Sequence, residues 1–219
     1  MKKSLPIAAL TALATTALAT TAATAVPGTV SGDGGNRIAV IRGDGSALVK
    51  EGPLSAPWTV EGDSVKQIVV AGDRIGILKG DGSALVKEGG LGAQWTLEGD
   101  NVVQLALSGS RIGILKASGD AYVKEGTLGA QWTLEGDNVK QLQLSGDRIG
   151  IVKANGDTYV KEGALYDPWT LEGDNVKQLA LSGSRIGILK ANGDAYVKEG
   201  ALGAQWTVEA NGVTELALS

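Results

Sequence analysis

The 219-residue sequence contains no cysteine, no histidine and no phenylalanine. Without thiols no disulfide can staple the fold, so stability has to come from core packing alone. Without thiol or imidazole there is no Ser-His or Cys-His pair and no zinc site built on those donors, which leaves carboxylates, Lys, Arg or Tyr for any chemistry. After the first 25 residues no segment approaches the roughly 18 apolar residues of a membrane span. A surplus of positive charge is lacking too: 20 Lys and Arg against 24 Asp and Glu give a formal net charge of -4. That balance argues against nucleic acid or a polyanionic surface as partner.

The first 25 residues differ from the rest. Lys2 and Lys3 precede an Ala-, Leu- and Thr-rich stretch ending at Ala23-Thr24-Ala25, the small-x-small pattern of a signal-peptidase site. The reading is a cleaved export signal over residues 1–25, a secreted or periplasmic mature chain starting at Val26, a short arm over 26–34 and one domain over 35–219. Loss of two lysines makes the mature chain more acidic.

What the sequence has in abundance is repetition. "DAYVKEG" at residues 120–126 returns at 194–200, with variants at 46, 83 and 157. Trp58, Trp95, Trp132, Trp169 and Trp206 are spaced by 37 residues, as are Arg37, Arg74, Arg111, Arg148 and Arg185. A fixed period of this length indicates a closed or stacked repeat architecture. Each unit divides at its turns: a Gly-Asp or Gly-Ser turn before the Arg, then Asp-Gly, Ser-Gly or Asn-Gly, the last of which suits a type I' hairpin. The runs between are short and rich in Val, Ile, Leu, Thr and Tyr, without helical periodicity. In the fourth copy they predict four antiparallel strands, "VKQLQLS", "RIGIVKA", "DTYVKEG" and "WTLEG". The second is apolar on both pleat faces, which requires a sheet covered on both sides. The fold class that follows is all-β, a five-bladed β-propeller of four-stranded blades. The first unit enters at its second strand and residues 213–219 form a surplus first strand, so the expected closure pairs the C-terminal strand into the first blade.

The order Trp, Glu-Gly, Val-Lys-Gln-Leu, Gly-x-Arg-Ile-Gly, turn, Tyr-Val-Lys-Glu-Gly resembles tectonin-type repeats and the five-bladed tachylectin-type propeller lectins. The resemblance covers residues 35–219, with a repeat shorter than the tachylectin kind. It implies non-enzymatic carbohydrate recognition with one shallow site per blade or blade junction. The expected partners are cell-surface or envelope glycans and the expected state is a monomer; no cofactor is expected, and no metal, since no copy collects the oxygen-donor spacing of a calcium loop.

The candidate carbohydrate-binding residues are three periodic series, each with a structural alternative. The five tryptophans are flat platforms for sugar rings or fillers between blades, and a strictly periodic Trp reads first as packing. The five arginines bind sugar hydroxyls or clamp the Glu of an "EG" pair, which is equally periodic. Asp63, Asp100, Asp137, Asp174 and Asn211, in the links between blades, are sugar acceptors or ordinary turn formers. Three further series read as structural. Tyr122, Tyr159 and Tyr196 replace Leu48 and Leu85 in a packing slot. The Lys-Glu of "VKEG" reads as a solvated strand with cross-strand pairs. Gln67, Gln104, Gln141, Gln178 and Glu215 read as a polar ring holding water along the axis. No copy breaks the symmetry to assemble the two differentiated carboxylates of a glycosidase, so no enzymatic activity is expected. The alternative function is a protein-interaction or envelope-structural propeller.

Overall fold

The computed structural model describes residues 36–219; the proposed leader and the arm over 26–34 lie outside the described residues. The described chain is all-β and forms five antiparallel sheets arranged as the blades of a five-bladed β-propeller. Blade 1 holds β1 (Arg37–Ile41), β2 (Ala47–Glu51) and β3 (Thr59–Gly62). Blade 2 holds β4 (Val65–Ala71), β5 (Arg74–Lys79), β6 (Ala84–Glu88) and β7 (Thr96–Gly99). Blade 3 holds β8 (Val102–Ser108), β9 (Arg111–Lys116), β10 (Ala121–Glu125) and β11 (Thr133–Gly136). Blade 4 holds β12 (Val139–Ser145), β13 (Arg148–Lys153), β14 (Thr158–Glu162) and β15 (Thr170–Gly173). Blade 5 holds β16 (Val176–Ser182), β17 (Arg185–Lys190), β18 (Ala195–Glu199) and β19 (Thr207–Ala210). Within each blade the strands pair in chain order.

The sequence explains the packing. In β9 and its equivalents β5 and β13, the five residues from Arg to the last apolar one are all buried, because neighbouring blades cover both faces of the sheet. The third residue of that strand is Gly in blades 2 to 5. A Cβ on Gly150 would stand 2.5 Å from Leu179 and 3.0 Å from Leu181 of the next inner strand, so the missing side chain sets how closely two sheets approach. In blade 1 the position holds Ala39, and the equivalents of the two leucines are the β-branched Ile68 and Val70. Each apolar cluster spans a junction: Leu78 and Val86 of blade 2 pack with Leu105 and Ile112 of blade 3, with Trp132 against them.

One expectation is not met. Blade 1 has three strands, and β1 pairs only with β2. Residues 213–219 carry no strand pairing; they lie against blade 5 as the inner strand of a following blade would. Leu216 and Leu218 face Gly187 as Leu105 and Leu107 face Gly76, and Gln178 bonds Leu216 as Gln67 bonds Leu105. The closing strand is therefore docked on the last blade without reaching the first. Ile38 and Val40 of β1 are consequently 40% and 38% exposed, where their equivalents Ile75 and Ile77 are buried.

Candidate functional site

The antiparallel order sorts the connections onto two faces of the disc. One carries the turns before each Arg and the loops that end in Trp. The other carries the Asn-Gly-type hairpins and the Gly-Asp-Asn links to the next blade. The three candidate series divide between these environments.

The arginines are consumed internally. Arg74, Arg111 and Arg148 are buried, with ion pairs of 2.8, 3.1 and 2.9 Å to Glu88, Glu125 and Glu162 on the paired strand. Each also donates to a glycine carbonyl in the next blade, at Gly126, Gly163 and Gly200. Arg37 does the same with Glu51 and Gly89. The clamp is thus the geometry adopted, and its carboxylate is the Glu of "VKEG". Only Arg185 is exposed, held by Glu199 at 3.4 Å.

The tryptophans pack at the junctions. Trp95, Trp132, Trp169 and Trp206 are half-buried against the apolar clusters, and Trp58 is 41% exposed. Over each ring stands a lysine of the same blade: Lys50, Lys87, Lys124, Lys161 and Lys198, at 4.8 to 5.0 Å from the ring centroid. One ring face is therefore already occupied by a cation.

These lysines correct the solvated reading of "VKEG". Lys87, Lys124, Lys161 and Lys198 are buried, each 2.5 Å from a buried glutamate of the preceding blade, Glu61, Glu98, Glu135 and Glu172. Alternation along one strand assigned them to solvent, but in a stacked sheet the outward face meets the neighbouring blade. The second oxygen of each of these glutamates is buried without a partner. Burial pushes the Glu135 and Glu172 carboxyls up, and the lysine beside each only partly offsets it.

The glutamine series is also corrected. Gln104 donates to the Leu142 carbonyl at 2.7 Å and accepts from the Leu142 amide at 3.0 Å. Gln67 and Gln141 bond Leu105 and Leu179 in the same way. These amides stitch one inner strand to the next instead of presenting themselves to axial water.

Of the three candidate series, that of the link residues is the one exposed in every copy. Asp63, Asp100, Asp137 and Asp174 are exposed, and each is bonded to the lysine ending the second strand of the following blade, at 2.8, 3.0, 2.7 and 2.5 Å. That bond, more than the charge alone, holds the four carboxyls below the usual Asp value. Asn211 instead donates to Asp194 at 2.6 Å. The next residue has positive φ in every link: Ser64, Asn101, Asn138, Asn175 and Gly212, at 48 to 68°. Asn and Gly tolerate that region, and the Asn/Gly interchange in this slot was the available sequence signal.

In blades 4 and 5 these groups converge. Asp137, Asn138, Lys153, Asn155, Asp157 and Tyr159 line a recess of about 430 Å³. Asp174, Asn175, Lys190, Asn192 and Tyr196 line one of about 470 Å³. The hairpin side is fixed by Asn155, which donates to Asp157 at 2.8 Å and accepts its amide at 3.0 Å. Sequence reasoning found the aspartates and assigned the tyrosines to packing; it missed the lysines and asparagines beside them. Tyr159 and Tyr196 are half-buried and do both: one side packs on the core, the other lines the recess. Among the described residues no helix is long and apolar enough to cross a membrane.

No family model and no curated protein matches the chain. Among solved structures it is similar to Prp20p of Saccharomyces cerevisiae, with a TM-score of 0.59 and 14% identity over 75% of this chain and 55% of that one. Human WBSCR16 gives 0.61 and 12% over 74% and 59%. Hsv2 of Kluyveromyces lactis gives 0.54 and 13% over 75% and 59%. The chain spans a little more than half the length of these β-propellers, and identities this low speak to the fold alone.

Proposed function

We propose that this propeller is a non-catalytic, secreted carbohydrate-binding protein whose sites are the repeated recesses between link and hairpin. One observation carries the reading. Two equivalent concavities each bring together a carboxylate, carboxamides, an ammonium group and one side of a tyrosine ring. A sugar presents adjacent hydroxyls that bond planar acceptors and donors, and a C–H face that packs on an aromatic ring. Asp100, Asn101, Lys116 and Tyr122 repeat the set in blade 3, whereas Leu48 and Leu85 replace the tyrosine in blades 1 and 2. Weak equivalent sites on one disc raise avidity on a repetitive glycan by about 10² to 10⁴. The leader pattern at 1–25 supports an exported location, where such glycans are found.

The test is a glycan array followed by calorimetric titration with the best hit. The expected stoichiometry is three per chain, one per tyrosine-bearing blade. Tyr159→Leu, which copies the residue of blades 1 and 2, removes one site and leaves the melting temperature unchanged. Binding that survives replacement of all three tyrosines by leucine refutes the assignment.

A second reading is a protein-docking propeller. Val60, Leu97, Leu134, Leu171 and Val208 are 55 to 66% exposed on the outer strands and form a repeated apolar rim. Prp20p, similar in fold, is described with binding to Gsp1p and histones. One protein partner per chain, with no glycan bound, would favour this reading.

A further inference from the structure

Three Asn-Gly pairs occur in the chain, Asn155-Gly156, Asn192-Gly193 and Asn211-Gly212, and each is preceded by alanine. Their sequence context is therefore alike: with no Cβ on the following glycine, its amide nitrogen has open access to the Asn side-chain carbonyl carbon. The structure sets them apart. In the two hairpins, Asn155 donates to the Asp157 carboxylate at 2.8 Å and accepts its amide at 3.0 Å, and Asn192 holds Asp194 in the same way at 2.8 and 3.1 Å. The glycine amides are engaged as well, Gly156 with the Lys153 carbonyl at 2.9 Å and Gly193 with that of Lys190 at 3.0 Å. Asn211 and Gly212 are both exposed. Asn211 makes one side-chain hydrogen bond, to Asp194 at 2.6 Å. Its Oδ1 accepts none, and the Gly212 amide donates to nothing among the described residues. The free amide is a property of the slot, since those of Asn101, Asn138 and Asn175 have no partner either.

We propose that Asn211 is a self-modification site, at which the Gly212 amide converts the carboxamide into a carboxylate. The Gly212 nitrogen gives its proton to solvent hydroxide and attacks Cγ of Asn211. The Cγ–Nδ2 bond then breaks, and the amine leaves as ammonia with a proton taken from water, closing a five-membered succinimide. A water molecule opens that ring at either carbonyl, which yields aspartate or isoaspartate; the net exchange is one water consumed for one ammonia released. At Asn155 and Asn192 three hydrogen bonds must open before the nitrogen and the carbonyl carbon meet, those of Nδ2, Oδ1 and the glycine amide, whereas at Asn211 one must. Two extra bonds slow the step roughly tenfold to a hundredfold.

The position of Asn211 gives the product a consequence. A carboxylate at 211 has no proton to donate to Asp194 and meets it as a like charge at hydrogen-bond distance, so the contact is lost. Asp194 is also the partner of Asn192, which lines the recess of blade 5. The modification therefore reaches that recess through one shared carboxylate. Isoaspartate acts on the same hairpin by a second route: it adds a methylene to the main chain two residues before Val213, whose amide bonds the Gly193 carbonyl at 2.8 Å.

The test is to incubate the purified protein in mildly alkaline water enriched in heavy oxygen, quench it with acid and map its peptides by mass spectrometry, with electron-transfer fragmentation to separate aspartate from isoaspartate. Residue 211 takes up solvent oxygen faster than 155 or 192 by roughly tenfold or more. In urea the three rates converge, because the Ala-Asn-Gly triplets are the same. Asn211→Gln, whose longer side chain disfavours the five-membered ring, abolishes the signal at 211 and leaves the circular dichroism spectrum unchanged. In the aged parent, the side-chain amide NMR signals of Asn192 shift while those of Asn155 stay in place. Equal rates at the three positions in the folded protein overturn the inference, and so does an Asn211 that stays intact in the folded chain while the unfolded chain reacts. Unshifted Asn192 signals overturn the coupling to the recess. No glycan enters any of these readouts, so the result stands independently of the carbohydrate test.

Discussion

Removing the ammonium of Lys161 while keeping its stem is the sharpest probe of how the blades are joined. Its Nζ lies 2.5 Å from Glu135, the two side chains being 3% and 2% exposed, and 4.8 Å from the Trp169 ring centroid. It also donates to the Leu165 carbonyl. Lys161→Met preserves most of the volume but leaves Glu135 with both oxygens buried and unpartnered, since its second oxygen has no partner even now. Breaking a buried ion pair from one side costs about 3–5 kcal/mol. For a chain of this size that lowers the midpoint by on the order of 10 °C. The pH dependence has a definite sign. Burial already raises the Glu135 pKa above its ordinary value. A carboxyl with a raised folded pKa binds its proton more readily in the folded state, so acidification toward that pKa favours folding. The variant raises it further, so its deficit against the parent shrinks as pH falls from 7 toward 5. Urea and thermal melts followed by circular dichroism at the two pH values measure both effects. Lys161→Met combined with Glu135→Leu recovers most of the loss, because an apolar pair of similar volume has no charge to desolvate. A loss below about 1 kcal/mol at pH 7, the size of an exposed ion pair, would refute the buried bridge.

Two further outcomes follow from the geometry. Lys153 is the main cause that holds the Asp137 carboxyl below its ordinary value, so carbon-detected NMR titration should place Asp137 lower than a free Asp, and Lys153→Ala should move it upward; an unchanged Asp137 would show that the lysine does not set it. The bond stabilises the fold above the ordinary Asp range and is lost as pH falls through the lowered pKa. Gly150→Ala should cost roughly 1–3 kcal/mol in a chemical melt by overpacking against Leu179 and Leu181, and adding Leu179→Ile with Leu181→Val, the pair that faces Ala39 in blade 1, should recover much of it.

The strands were legible because Gly-containing turns punctuate every unit at the same place, and each predicted strand of the fourth copy agrees with β12 to β15 within one residue at either end. The Arg–Glu clamp was legible for a related reason: Arg148 and Glu162 are directly paired residues of one hairpin, a relation that spacing alone can express. Lys161 was misread because its partner is on another sheet, 26 residues earlier, and no rule of alternation within a strand points there. Gln104 was misread likewise, its partner lying 38 residues ahead on the next inner strand. Contacts between blades are invisible to local pattern, yet in a repeat protein they leave a trace, since each recurs at one offset in every unit. Applied to all five units, those offsets account for the polar groups of the Arg, Lys, Glu and Gln series at every completed junction. What they leave unaccounted for is the Asp-Asn link with its facing lysine and tyrosine, and the unmatched groups at the seam. In the first, the Asp is exposed while the lysine and tyrosine are half-buried, and together they line the recesses; the second stand at the two ends of the array, Arg185 and Glu209 in blade 5 and Lys50 in blade 1. The proposed binding recesses therefore draw on groups that these offsets leave over, a distinction that no single copy of the repeat contains.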